Sequence, residues 1–306
     1  TIMDMTGLIQ LFGELLVSRV NDNTPNHLGI DSHFIEHLSP NDLESKYHLK
    51  TNFEAFYFNR GGWINPKNLC ENYLSYGLKN NKISLFLNKK VTKLYDNSNN
   101  WCVTLNSTLK NSNKLPKIYN YSKVIICSGS DTSELLPDYK NFLQPISGQI
   151  DKFKIQNNLI KPLCFDGYVI PVANNELWVG ATFEPGNRST HISIDASREN
   201  LKKIQLILPD TKLENIIESR RSVRMASRDR LPLVGKVSIM SHLKDKDGSQ
   251  DEIKNLFINT AHGSHGLLSI PLCSEFLVRT ICQEISPISN TLATCLDPNR
   301  FFKNEN

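Results

Sequence analysis

The segment from Leu256 to Leu267 constrains the fold more than any other. An apolar run, Leu256 to Thr260, passes directly into Ala261-His262-Gly263-Ser264-His265-Gly266-Leu267 and then into a helix expected from about 271 to 284, opening at Pro271. A strand, a short glycine-bearing turn and a helix in succession aim the turn and the positive end of a helix dipole at one point. Glycines 263 and 266 let backbone N–H groups approach whatever occupies that point, because no Cβ stands in the way. An anionic or electron-rich ligand suits such a site. A purely structural strand-turn-helix is the other reading of the same residues.

A second apolar run, Lys123 to Ser128, halts at Gly129, and its unbroken character predicts a strand buried on both faces of a sheet. Strand-like residues also run from Phe53 to Phe58. Asn65 can cap a helix with Pro66 in its first turn, and Leu69, Tyr73 and Leu74 share one face, predicting a helix over about 66–80. Short strands are expected at Ile83 to Leu87, Val91 to Tyr95 and Trp101 to Leu105. Asn106 to Asn120 reads as an exposed loop, either a solvated linker or an RNA contact. Cys164 to Val172 and Leu177 to Phe183 read as paired strands turning at Asn174-Asn175. A helix over 196–208 is stopped by Pro209, and Asp210 to Glu218 is expected to form another short helix.

Length and composition bound the classes. At 306 residues and 39% hydrophobic the chain can bury a real core, and at about 300 residues one core usually gives way to two. The longest apolar-looking stretch, Leu267 to Val278, is broken by Ser269, Pro271, Ser274 and Glu275, so no segment approaches the roughly 20 residues of a membrane helix. No secretory leader is expected. A net charge of +4 permits an RNA partner without arguing for one. Seven cysteines without a Cys-x-x-Cys pair read as free thiols in a reducing cytoplasm. The chain starts at Thr1 and opens on an apolar stretch, Gly7 to Val20, so it is expected to be a fragment.

Two further segments carry polar chemistry. Arg220, Arg221, Arg224, Arg228 and Arg230 fall within eleven residues, around the apolar Met225 and Ala226. They form a solvated basic face, or at least one of Arg224 and Arg228 turns inward to a carboxylate or phosphate, whose geometry matches the guanidinium fork. Tyr168, in Asp166 to Pro171, either positions a substrate or fills a core. The sequence holds no Walker loop, zinc-ligand spacing, serine-hydrolase elbow or G-x-G-x-x-G.

Taken in order, GGWINP, GQI, CFDGYVIP, VGATFEPG, SVRMASRDRLPLVG, HGSHGLLSIPLCSEFL and LDPNRFF are similar to the FAD-dependent amine oxidase family that includes glycine oxidase and D-amino acid oxidase. More closely, they resemble its branch that forms the oxidoreductase half of bacterial bifunctional tRNA-modifying proteins. The resemblance covers about Gly7 to Phe302. It implies a mixed α/β, glycine-oxidase-like fold of two interleaved lobes, with an antiparallel-sheet substrate domain. Residues 1–60 and 146–222 would form the substrate domain, and 61–145 and 223–306 the FAD-binding domain.

The resemblance also implies a reaction: FAD-dependent removal of the carboxymethyl group from 5-carboxymethylaminomethyl-2-thiouridine at the tRNA wobble position, leaving an aminomethyl group and glyoxylate. Arg224 matches the family's carboxylate-binding arginine and Tyr168 a tyrosine of the same pocket. Cofactor contacts would come from Val91, Gly129, Gly263, Ser264, His265, Gly266 and Leu267. The implied partners are modified tRNA and a separate or fused methyltransferase domain, in the cytoplasm and without a membrane.

The sequence departs from that pattern in two places. The family opens on a strand, G-x-G-x-x-G and a helix that hold the FAD pyrophosphate, and none is found here; His265 stands where the nearest members have arginine. Two other readings therefore stay open: a free amino-acid or glycine oxidase, and a flavin-free, non-catalytic remnant. On the fragment reading, residues 1–306 expressed alone are expected to bind FAD weakly or not at all and to be poorly soluble. Restoring roughly a hundred upstream residues is expected to rescue both properties, which flavin absorbance and size-exclusion chromatography would check.

Overall fold

Short apolar runs punctuated by polar turns give this chain more strands than helices. In the computed structural model, which describes residues 3–12, 31, 33–97, 100–108, 115–156, 159, 161–238 and 255–302, the strands longer than two residues begin with β1 (Leu8–Leu11), β2 (Ile35–Leu38) and β3 (Ala55–Phe58), with α1 (Pro40–Tyr47) and then α2 (Pro66–Lys79). Next come β4 (Lys89–Asn97), β5 (Asn100–Ser107), β6 (Lys117–Tyr121), β7 (Val124–Ile126) and the long β8 (Leu143–Ile155). β9 (Leu163–Phe165), β10 (Gly167–Val172) and β11 (Glu176–Gly180) lead to α3 (Ile194–Ile207) and to β12 (Leu213–Ser227). The chain ends on β13 (Leu233–Lys236), β14 (Leu256–Thr260), α4 (Gly266–Cys282) and α5 (Asn290–Leu296). Residues 13–20 of the apolar opening stretch lie outside the described residues.

These elements form two compact units, each assembled from separated segments. The first takes Thr1–Lys82, Ser147–Glu184 and Ser189–Ser222; the second takes Ile83–Ile146, Pro185–Arg188 and Val223–Asn306.

In the first unit β8, β11, β10, β9, β1, β3 and β2 lie side by side in that order, and β12 pairs with β8. β8 with β11, β11 with β10, β10 with β9, β1 with β3 and β3 with β2 pair antiparallel, while β9 and β1 run parallel, Leu163 opposite Ile9. Asn174 and Asn175 both take positive φ, 67° and 56°, the two-residue turn whose twist suits a hairpin. Asn65 caps α2 by accepting from the Asn68 amide, with Pro66 at the first helical position. In the GGW motif a Cβ on Gly62 would fall 2.0 Å from the Asp4 carbonyl oxygen, so this close approach requires glycine. The core gathers Ile9, Leu38, Leu163, Val169, Leu177, Val179 and Ile204.

Asp151, fully buried on β8, accepts hydrogen bonds from Gln149, Ser197, Asn200 and Ser219. Neutral donors from α3 and β12 thus satisfy a buried carboxylate and fix those elements against β8.

The second unit holds two three-stranded sheets, β13–β14–β7 and the meander β4–β5–β6. Its main core joins Leu94, Trp101, Val103, Ile126, Leu233, Leu256 and Ile258. α4 packs on the opposite face of β13 and β14 through Phe257, Cys273, Phe276 and Leu277. The two segments most specific to the family resemblance are tied together here. Arg300 of LDPNRFF grips Asp229 of SVRMASRDRLPLVG with Nε to Oδ2 at 2.7 Å and an Nη to Oδ1 at 2.8 Å.

Five expectations are corrected. Ile83 to Leu87 forms no strand and leaves Leu85, Phe86 and Leu87 exposed. Within the supposed loop, Lys117 to Tyr121 pairs with β5, because Ile118, Tyr119 and Tyr121 supply β-forming side chains in register with it; residues 109–114 lie outside the described residues. The expected helix at Asp210 to Glu218 is instead the start of β12, where long-range pairing with β8 overrides local preference. β7 is an edge strand with Ile125 46% exposed, so it is not buried on both faces. β11 stops at Gly180, short of Phe183.

Burial pushes the Asp229 carboxyl up, but hydrogen bonds from Arg300, the Leu231 amide and the Ser227 hydroxyl outweigh burial and bring it down to about 2. An unfolded aspartate titrates near 3.9. The stability this group adds is therefore present above about pH 4 and lost as pH falls toward about 2. Asp229→Asn is expected to cost about 1 kcal/mol at neutral pH, an amount reduced by solvent at this partly exposed site. Urea midpoints of the variant and the parent should converge between pH 4 and pH 2.

Candidate functional site

β7 and β14 run parallel, with Val124, Ile125 and Ile126 opposite Leu256, Phe257 and Ile258. The carboxyl ends of parallel strands are where ligands of α/β sheets bind, because the following turns and helix N-termini open there. A cavity of about 340 Å³ lies at these two ends. Cys127 and Gly129 line it from the turn after β7, Asn259 to Gly263 from the end of β14, Met225 from β12, and Gly266, Ile270 and Ser274 from α4.

Hydrogen bonds hold the strand ends in place. The hydroxyl of Thr132 lies 3.2 Å from those of Ser128 and Thr260, joining the turn after β7 to the end of β14. A bridge from Ala226 to His262 ties the end of β12 to the turn before α4.

The helix begins earlier than expected. A 3-10 turn, Gly263–His265, runs straight into α4 at Gly266, and Pro271 sits inside the helix rather than at its start. The amides that open the helix therefore follow directly on the cavity's glycines, Gly266 being among its lining residues.

Gly129 and Gly263 share a backbone requirement. Their φ angles are 54° and 57°, in the left-handed region. A Cβ on Gly129 would meet nothing within 4 Å, and one on Gly263 would stand 3.7 Å from the Ala226 Cβ. Both positions thus bring bare backbone to the cavity wall. A flat group with carbonyl oxygens on its edge, as a flavin has, fits such a wall, with the N-terminal end of α4 beside it.

Gly129, Gly263 and Gly266 therefore line one cavity. Ser264, His265 and Leu267 lie between or beside them in the chain with exposed side chains. Val91 does not line the cavity; it packs half-buried against the core at a bulge of β4. Arg224 is half-buried near the end of β12, next to Met225, while Arg228 is exposed in the turn that follows. Strand alternation puts Arg224 on the same face as Ala226, the residue nearest the missing Gly263 Cβ. Tyr168 belongs to the first unit, on β10 opposite Cys164 and Gly180, with its ring over the glycine.

Of the five arginines, Arg221 turns inward to a carboxylate. Its side chain is 4% exposed and donates to Glu184 at 2.6 Å and to the Ser147 hydroxyl at 2.9 Å.

Sequence reasoning missed His262. Its Nε2 lies 2.8 Å from Asn259 Oδ1 and its Nδ1 lies 2.9 Å from the Ser269 hydroxyl, while the Asn259 amide nitrogen donates to Ser274. That assignment places the imidazole proton on Nε2, and burial holds the ring's pKa below the usual histidine range. The ring is thus a neutral strut between the end of β14 and the first turn of α4. The only signal was a histidine following a strand end, which the fold alone brings against Ser269.

The chain is 29% identical over 263 residues to the tRNA 5-methylaminomethyl-2-thiouridine biosynthesis bifunctional protein of Methylobacillus flagellatus, covering 81% of this chain and 39% of that protein. It is 25% identical over 283 residues to the protein of the same name from Aeromonas hydrophila, covering 87% of this chain and 41% of the other. The chain thus spans about two-fifths of the length of these curated relatives. Among solved structures, glycine oxidase from Geobacillus kaustophilus superposes with a TM-score of 0.76 at 18% identity, over 97% of this chain and 75% of that one. The fold is therefore the mixed α/β, glycine-oxidase-like one. Since the profile of the FAD dependent oxidoreductase family matches residues 2–280, nearly the whole chain, the chain belongs to that family of flavoenzymes.

Proposed function

We propose that this chain acts on modified tRNA, oxidising the carboxymethylaminomethyl group of a wobble 2-thiouridine to an aminomethyl group and glyoxylate. The observation that carries the reading is the cavity at the ends of β7 and β14, with bare backbone at Gly129 and Gly263. It lies in a chain whose curated relatives are named as tRNA biosynthesis proteins.

In this reading the second unit holds FAD, and the β-rich first unit presents the substrate. Gly129, Gly263, Ser264, His265, Gly266 and Leu267 contact the cofactor, and Val91 supports it from β4. When bound, FAD supplies a two-electron acceptor for the methylene next to the substrate's secondary amine. Water then hydrolyses the resulting imine, which splits off glyoxylate. The residues' own work is orientation and charge. Arg224 holds the substrate carboxylate through its guanidinium fork, and the amides opening α4 favour negative charge on the cofactor; in the first unit, Tyr168 on β10 is the proposed substrate-lining side chain. A neutral His262 keeps a second positive charge away from that place.

The product amine is a substrate for methyl transfer, so a separate or fused methyltransferase is the expected partner. A tRNA substrate sets the reaction in the cytoplasm. No helix among the described residues is long and apolar enough to cross a membrane.

The test is anaerobic reduction of the FAD-loaded protein. Bleaching of the flavin by tRNA carrying the carboxymethylaminomethyl group, with glyoxylate released, is the expected result. Bleaching by glycine or sarcosine and none by tRNA would replace this reading with that of a free amino-acid oxidase.

Two substitutions probe the roles. Arg224→Lys keeps the charge and loses the fork, so the rate of flavin reduction should fall about 10- to 100-fold, as a lost charge-assisted bond implies. Its thermal midpoint should stay within about 3 °C of the parent's. An unchanged rate removes Arg224 from the site. Gly129→Asn keeps a residue that tolerates left-handed φ while projecting a side chain into the open space. FAD affinity, read from fluorescence quenching on titration, should fall about tenfold or more with the fold intact.

A further inference from the structure

Residues 83–123, all within the second unit, concentrate the chain's positive charge. They hold seven lysines, at 89, 90, 93, 110, 114, 117 and 123, against a single acidic residue, Asp96. That leaves 28 of the 35 basic residues and 30 of the 31 acidic ones elsewhere, so the rest of the chain is slightly acidic. Lys90 pairs with Glu134. Among the described residues, no carboxylate lies within ion-pair distance of Lys89 or Lys117.

The same segment displays aromatic rings at its surface. On the edge strand β6, Lys117, Tyr119 and Tyr121 stand opposite Leu105, Val103 and Trp101 and so share one face. Val103 and Trp101 are sealed in the core, whereas Tyr119 is half-buried and Tyr121 exposed, so β6 carries that face past the core's edge. The Tyr119 and Tyr121 rings are 16° from parallel with centroids 6.4 Å apart, close to twice the roughly 3.4 Å step of stacked bases. Phe86, 49% exposed in the partnerless stretch before β4, adds a third ring 5.6 Å from Tyr119.

Exposed rings among unpaired lysines are what single-stranded nucleic acid requires of a protein surface: π-faces for unstacked bases and cations for the backbone. An acidic protein face would pair with the lysines but offers no run of flat groups for the paired rings. We propose that the β4–β5–β6 meander is a tRNA-docking surface, on which Phe86, Tyr119 and Tyr121 stack with unpaired loop bases and Lys89 and Lys117 contact phosphates. This inference rests on the tRNA reading above and assigns it a contact surface outside the cofactor cavity.

The test is binding of fluorescently labelled tRNA to the full chain, by anisotropy, across a salt series. Phe86→Ala with Tyr121→Ala should weaken binding roughly tenfold or more. Tyr121→Phe should bind as the parent does, and Tyr121→Leu should not. Lys89→Gln with Lys117→Gln should lower the slope of log affinity against log salt by about 1.5. Circular dichroism melts that match the parent keep these losses from being failures to fold.

Parent-like affinity and salt slope in all these variants would overturn the proposal, and so would Tyr121→Leu binding as well as Tyr121→Phe. If the parent's flavin is still reduced by modified tRNA in that case, the functional reading survives and only the docking surface falls. A parent chain with no affinity for tRNA takes both down.

Discussion

The parallel pairing of Val124–Ile126 with Leu256–Thr260 is the contact on which the second unit's chemistry depends. The two strands are some 130 residues apart in the chain, yet only their adjacency places the turn at Gly129 beside the turn at Gly263. Three ladder positions add little by themselves, since each backbone hydrogen bond contributes about 1 kcal/mol net. Side chains set the register. Ile126, Leu256 and Ile258 enter the main core, while Phe257 faces α4. Slipping the strand by one residue would exchange those faces and turn the core residues toward the helix. The Thr132 hydroxyl, between Ser128 and Thr260, then fixes the two ends where the cavity opens.

What the sequence disclosed was what short-range chemistry decides. α2 was legible because Asn65 and Pro66 act within one turn, and the β10–β11 hairpin because two adjacent asparagines tolerate positive φ. The beginning of β12 was not, because its strand character comes from β8, far away in the chain. Pro271 misled for a related reason: proline favours a first helical turn, but the 3-10 turn at Gly263–His265 had already started the helix. At the site, the glycines were legible from their spacing after a strand. His262 was not, since its partners Asn259 and Ser269 meet it only after the strand end and helix have been placed. In the arginine cluster the sequence pointed to Arg224 or Arg228 as turning inward, while the burial of Arg221 was not legible because its partner Glu184 comes from a distant segment.

The first unit handles buried charge in two different ways. Arg221 and Glu184 neutralise one another, with the Ser147 hydroxyl taking a further guanidinium hydrogen. Asp151 relies instead on amide and hydroxyl donors drawn from β8, α3 and β12. Such an arrangement stabilises only when complete, because each lost donor leaves charge without compensation in a poorly polarisable interior. It therefore selects one placement of α3 on the sheet more sharply than apolar packing alone, which tolerates small sliding.

The interleaving of the two units also has a temporal side. β1 finds its parallel partner β9 only after about 150 further residues have been made, some 8 to 30 s of synthesis at about 5–20 residues per second. Throughout that interval Ile9 and Leu11, which finish fully buried, have no sheet to join on that side. In the second unit β7 likewise waits about 130 residues before Leu256 emerges. Neither unit can close as the ribosome delivers it, so the nascent chain carries open strand edges for most of its synthesis. For this architecture the demanding moment is birth rather than equilibrium: its yield in a cell should follow chaperone supply and elongation rate more closely than the stability of the finished fold.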